Sequence, residues 1–133
     1  ISKAALRYEK TQFSMLTSEL DNYLAAIPKQ QPRVTDVVLF GIEAHVCIQQ
    51  TALDFLSRGI AVHVIADGTS SQRQFDRVVA FDRLRGSGCF VTTAESILFS
   101  LARDAKSEHW KSLMQVIKTL NDDRPDPLIT SKM

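Results

Sequence analysis

The 133 residues include only two cysteines, no apolar run of about 18 residues and no surplus of either charge. Each shortage removes a class of protein. Without a long apolar run, no membrane span is expected. Sixteen Lys and Arg against fifteen Asp and Glu leave a formal charge of +1. These charges are interspersed, so the basic tract that marks a nucleic-acid surface is missing and no nucleic-acid partner is expected. Cys47 and Cys89 form neither a close-spaced pair nor a secreted disulfide framework, which fits a reducing compartment and a cytoplasmic protein. His45, His63 and His109 stand at no HxH or HxxxH spacing, so no metal site is expected. Neither GxGxxG nor GxxxxGK[ST] occurs, and no cofactor is expected. The opening "ISKAALRYEK" has no initiator Met and no signal-peptide apolar core, which suggests a processed or partial chain.

What is present is ordinary for one modest globular domain: 44% apolar and 23% charged residues. The stretch 14–27 places Leu16, Leu20, Leu24 and Ile27 at helical spacing, with Pro28 as a stop. "VVLFGI" (37–42) is a short apolar run, as expected of a strand buried on both faces. Residues 45–58 repeat the helical pattern with Ile48, Ala52, Phe55 and Leu56, and Gly59 ends it. "IAVHVIA" (60–66) is a second strand, and 70–88 reads as a serine-capped helix. "CFVTT" (89–93) is a third strand. Thr92 and Glu95 match a capping box before a nearly all-apolar, hence buried, helix at 94–102. A last helix (107–120) aligns Trp110, Leu113, Met114, Ile117 and Leu120. One domain over 1–120 and a polar tail over 121–133 are expected. Alternating strands and helices predict an α/β fold, a parallel sheet with helices on both faces. Three strands are few for such a sheet, so further strands are expected upstream of residue 1.

Ligands of open parallel sheets bind beyond the carboxyl ends of the strands, here 42–47, 66–71 and 92–96. Cys47 falls in the first of these, near the start of a helix. Such a helix end favours a thiolate and offers amides to an oxyanion. Free cysteine is also among the most buried residue types, so position alone leaves Cys47 open between core residue and nucleophile. Cys89, beside Phe90 and Val91, reads as core. His45 is two residues from Cys47, a spacing that does not bring helix side chains face to face. Asp67 follows a strand and reads as a turn or capping residue.

The long stretch "VVLFGIEAHVCIQQTALDFLSRGIAVHVIADGTSSQ" (37–72) resembles the nucleophile segment of the isochorismatase-like cysteine hydrolases. It is nearest to the eukaryotic isochorismatase domain-containing proteins. "EKTQFSM" (9–15) resembles their lysine-bearing segment, and "FVTTAESILFSLARDA" (90–105) their later strand and helix. The resemblance implies a three-layer Rossmann-like fold, a homo-oligomer, and hydrolysis of a small-molecule amide or related C–N bond through a thioester. It implies Cys47 as nucleophile and Lys10 as the cation beside it. It also implies a cis peptide at Ile42–Glu43, with the amides of Glu43 and Cys47 as oxyanion donors. The family's catalytic Asp sits in an early "DxQ"-like segment that has no counterpart here. The chain as it stands is therefore expected to be weakly active or inactive, with an exposed sheet edge. Glu43 is larger and more acidic than the small residue many amidases of this superfamily carry there, which predicts a different pocket. The alternative is a non-catalytic member serving protein association or small-molecule binding. Ser131, Lys132 and Met133 resemble a variant peroxisomal address.

Overall fold

The structure is a computed structural model and describes residues 4–28 and 30–122. Within it the chain forms two compact units, one ending at Thr93 and the other starting at Ala94. The first holds helix α1 (Ser18–Ala25), strand β1 (Asp36–Gly41), a π-helical turn (Ala44–Ile48), α2 (Gln49–Ser57), β2 (Ala61–Thr69), α3 (Gln74–Gly86) and β3 (Phe90–Thr92). The second holds α4 (Ala94–Ala102) and α5 (Trp110–Asp122). The C-terminal Ser131, Lys132 and Met133 lie outside the described residues, as does the tail from residue 123.

The fold is α/β, built on a parallel sheet in the order β1-β2-β3. Each strand pairs with the next in sequence, so both crossovers step the same way. With the right-handed connection that parallel strands adopt, α2 and α3 come to the same face. The core follows that geometry. Val62 and Val64 of β2 pack with Ala52 and Phe55 of α2 and with Ala80, Phe81 and Leu84 of α3. Val37 and Leu39 of β1 and Val91 of β3 turn the same way. Fully burying a side chain such as Leu84 contributes about 1.5–3 kcal/mol.

The other face differs from the expectation for β1. Val38 and Phe40 are exposed, as is Phe90, because strand side chains alternate and both crossover helices line the opposite side. His63 lies on this open face, stacks on Phe90 with ring centroids 4.9 Å apart, and places Nε2 3.3 Å from Asp36 Oδ1.

Three boundaries depart from the sequence pattern for identifiable reasons. Helix α1 starts four residues late because residues 14–17 are held elsewhere: Met15 N–H donates to Thr51 Oγ1 at 2.9 Å. Helix α3 has Arg73, not a serine, at its cap, with no side-chain capping bond. Ser71 faces His45 instead, with Oγ 3.0 Å from Nδ1. The expected capping box is out of register, since Thr92 pairs with Ile65 and α4 starts at Ala94. In the second unit, α4 has no buried residue and Leu101 is 70% exposed. Its one helical neighbour there, α5, meets it through the Phe99 and Trp110 rings, and a single helix covers only one side of an all-apolar helix.

The end of β2 sets up the site. Pairing runs regularly from Asp36↔Ala61 to Leu39↔Val64 and then jumps to Gly41↔Thr69. β2 therefore carries the extra residues of a bulge. Asp67 lies within this extended strand and not in a turn. Arg77 from α3 satisfies the bulged backbone: Nε donates to the Thr69 carbonyl at 2.8 Å and Nη2 to that of Ala66. Its guanidinium also lies 4.7 Å from the Phe81 ring centroid.

Candidate active site

β1 ends at Gly41, whose φ of +129° is a conformation that side-chain-bearing residues rarely adopt. A Cβ there would meet only Ile48 Cδ1, at 3.9 Å, so the backbone conformation and not lack of space calls for glycine. One residue further on, the Ile42–Glu43 peptide bond is cis. The chain then enters the π-helical turn with Glu43 as its extended cap residue. Cys47 is the fourth residue of this turn.

Lys10 reaches this cysteine from a segment with no helix or strand. Its ammonium donates to the carbonyls of Gln12 and Phe13, each at 2.8 Å, and lies 3.7 Å from Cys47 Sγ. An ammonium has three N–H donors. Two are anchored to backbone and the third is aimed at sulfur, so the charge is oriented without either side chain being fully buried.

Thr51 is the connecting residue that sequence reasoning missed. It is 1% exposed, accepts from Met15 N–H and donates to the Cys47 carbonyl at 2.7 Å. One hydroxyl thus ties the Lys10 segment to the cysteine turn. The signal was present in the sequence: a threonine four residues after Cys47 can back-bond to its carbonyl.

The sulfur opens into a cavity of about 320 Å³ lined by Met15, Val38, Leu39, Phe40, Ile42 and Ile48, with Lys10 the one charged lining residue among the described residues. A larger hollow of about 400 Å³ touches Lys10 from Glu9, Gln12 and Glu19, and no cysteine lines it among the described residues. Glu43 does not line the cysteine cavity. Its Oε2 accepts from Gln72 N–H at 2.8 Å and lies 3.9 Å from His45 Nδ1. His45 reaches Ser71 and is not paired with Cys47. The amides of Ala44, Val46 and Ile48 are committed to the carbonyls of Ser70, Glu43 and Glu43.

Cys89 sits at the opposite edge of the sheet. It is 6% exposed in the core, and burial pushes its thiol up. Among the described residues no group of three or more metal-ligating side chains could hold an ion, and no helix is long and apolar enough to cross a membrane.

The comparisons with known proteins fit this arrangement. The isochorismatase domain model matches residues 2–96. The isochorismatase domain-containing protein 1 of Danio rerio is 47% identical over 118 residues, covering 89% of this chain and 40% of that protein. Among solved structures, one described as a MAR1 ribonuclease from Caenorhabditis elegans superimposes with a TM-score of 0.76 at 36% identity. It covers 88% of this chain and 56% of that one. A pyrazinamidase/nicotinamidase from Streptococcus mutans gives a TM-score of 0.54 at 26% identity, covering 62% and 44%. The chain spans about half the length of the relatives it matches. With the family model covering most of the chain and the sheet, turn and cavity in place, the protein belongs to the isochorismatase-like hydrolase family.

Proposed function

We propose that Cys47 and Lys10 form the nucleophilic centre of a hydrolase that cleaves a small amide or related C–N bond through a thioester. The observation that carries this is the ammonium, anchored by two carbonyls and held 3.7 Å from the sulfur. A cation so placed pairs with the sulfur anion once the thiol proton leaves. The thiolate attacks the substrate carbonyl carbon and forms the C–S bond. The carbonyl oxygen becomes an oxyanion, received by the amides of Glu43 and Cys47. Collapse breaks the C–N bond, the amine departs with the proton that the thiol gave up, relayed through solvent, and water then adds to the thioester carbonyl, releasing the acid and returning the thiol. The amidase name of the Streptococcus mutans structure supports an amide as substrate.

The C. elegans structure carries a ribonuclease name. Phosphodiester cleavage calls for an acid and a base flanking the reacting oxygens. The side chains lining this cavity supply one thiol and one ammonium, which suits acyl transfer better.

No carboxylate lines the cavity among the described residues. Proton transfer to an amine leaving group is therefore the weak step for this chain as it stands. Activated esters, whose leaving groups need no proton, should still acylate Cys47. The test is reaction with p-nitrophenyl acetate, followed by intact mass and peptide mapping. A gain of one acetyl group on Cys47, absent in Cys47→Ala, is expected. No acetyl on Cys47 would favour the second reading, a non-catalytic scaffold for binding or association, including assembly with a second copy. The exposed Phe40 and Ile42, 69% and 68% accessible, favour that second reading.

A further inference from the structure

Beside the cavity, and outside the Cys47–Lys10 pair, four residues form a polar cluster whose role is unassigned: Glu43, His45, Ser71 and Gln72. The cluster joins the cysteine turn to the end of the β2 bulge. Two backbone bonds bracket the cis peptide: Ser70 N–H donates to the Gly41 carbonyl at 3.1 Å, and Ala44 N–H donates to the Ser70 carbonyl at 2.9 Å. These two bonds share one residue, Ser70. They fix the separation of the two segments at Ser70. The two side-chain contacts lie farther along. Glu43 Oε2 takes the Gln72 amide at 2.8 Å, and His45 Nδ1 meets Ser71 Oγ at 3.0 Å. These contacts fall on both sides of Ala44 and add to the backbone pair.

We propose that the side chains of Glu43 and His45 are positioning residues that hold segment 70–72 against the cysteine turn, and so aim the amides of that turn at the oxyanion. The catalytic consequence rests on the hydrolase reading above; the lock itself rests only on the geometry. The size of Glu43 then has a use other than filling the pocket, since its carboxylate points to Gln72 and not to the substrate cavity. The lock also explains why Cys47 and Lys10 can be held by one set of contacts, through Thr51, while the amides are held by another.

The test separates sulfur reactivity from oxyanion stabilisation on the same full chain. Alkylation by iodoacetamide is a displacement that forms no oxyanion, whereas acetylation by p-nitrophenyl acetate forms one. Hydrogen exchange reads the lock without any chemistry. In Glu43→Ala, His45→Ala and Ser71→Ala, exchange should rise in the peptides covering 41–48 and 69–72 and stay unchanged in α2 and α3. Acetylation should fall about tenfold or more, as for a misaimed donor, while alkylation stays within about twofold. His45→Asn, which returns a polar atom near the Nδ1 position, should recover much of the lost acetylation. Unchanged exchange in all three alanine variants overturns the lock. Raised exchange with unchanged acetylation overturns the positioning role. Alkylation falling in step with acetylation reveals general damage and also overturns it. A wild-type protein that alkylates but never acetylates at Cys47 defeats the hydrolase reading, and with it the catalytic consequence, while exchange still decides the lock.

Discussion

Cys47 and Cys89 belong to the same sheet but stand at opposite ends of its strands. Cys47 follows the carboxyl end of β1, and Cys89 precedes the amino end of β3. At the carboxyl edge the chain turns sharply, leaves a cavity and admits a cation beside the sulfur. At the amino edge the chain returns from α3 straight into the core, and Cys89 packs with Phe81 and Leu84. The same side chain is therefore exposed to chemistry at one end and sealed at the other. The direction of the parallel strands separates them, more than any local difference in residue type.

The strongest test of that contrast is alkylation of the folded protein with iodoacetamide. Cys47 should react at least about a hundredfold faster than Cys89, whose burial both blocks access and disfavours the thiolate. In denaturant the two rates should converge; equal slow labelling in the native state would erase the contrast. Next in size is Lys10→Ala, which should slow Cys47 alkylation about tenfold at neutral pH and leave Cys89 unaffected. Added salt should not mimic the variant, because the ammonium is anchored in place.

Thr51→Val probes what ties the two parts of the reactive end together. It removes a buried hydroxyl that donates once and accepts once, at a cost of about 1–3 kcal/mol in urea unfolding. It should also slow Cys47 alkylation, since the Lys10 segment loses its anchor. A core change such as Leu84→Ala should cost more stability, about 2–5 kcal/mol, yet speed labelling at Cys89 and not at Cys47.

The smallest effect lies far from both thiols. A hydrogen bond from Arg58 holds the Asp21 carboxyl below its ordinary range. A carboxyl depressed in the folded state stabilises the fold above its unfolded value, and that contribution disappears as pH falls through the folded one. Urea midpoints of wild type and Arg58→Ala should therefore differ at neutral pH and merge as pH falls below the ordinary aspartate range. Both groups are solvent-exposed, so the difference is small. A gap that persists at the acid end would assign the effect to packing of the arginine stem.

Much of this was legible in the sequence where period and punctuation agree. The runs 37–42 and 60–66, the helix ending at Gly59 and the parallel order all follow from apolar patterning and turn residues. What escaped depends on partners distant in sequence. Nothing local in "SSQR" says that Ser71 serves His45 instead of capping α3. The extension of β2 through Asp67 relies on Arg77, eight residues beyond Thr69, to satisfy its carbonyls. The exposure of Val38 and Phe40 reflects which face the crossovers choose, and an apolar run carries no record of that. At the site, the position of Cys47 after a strand was readable from periodicity. Lys10 entered only through the family resemblance, because a single lysine in a charged segment has no pattern of its own. Thr51 and the carbonyls of Gln12 and Phe13 became visible only once two segments about 36 residues apart were seen to touch.

The attachment of Lys10 has a kinetic consequence. The cation arrives on a strip of chain that contributes no sheet pairing and is held near the sulfur by the Met15–Thr51 hydrogen bond and by the packing of the neighbouring Leu16 on the core. Detaching such a strip leaves the β1–β2–β3 ladder intact, so it belongs to the low-energy openings of a protein and not to its global unfolding. Thiol reactivity should therefore follow the attachment of this strip. It should decline on warming well before the sheet melts, giving the reactive end a working temperature range narrower than the range over which the fold survives.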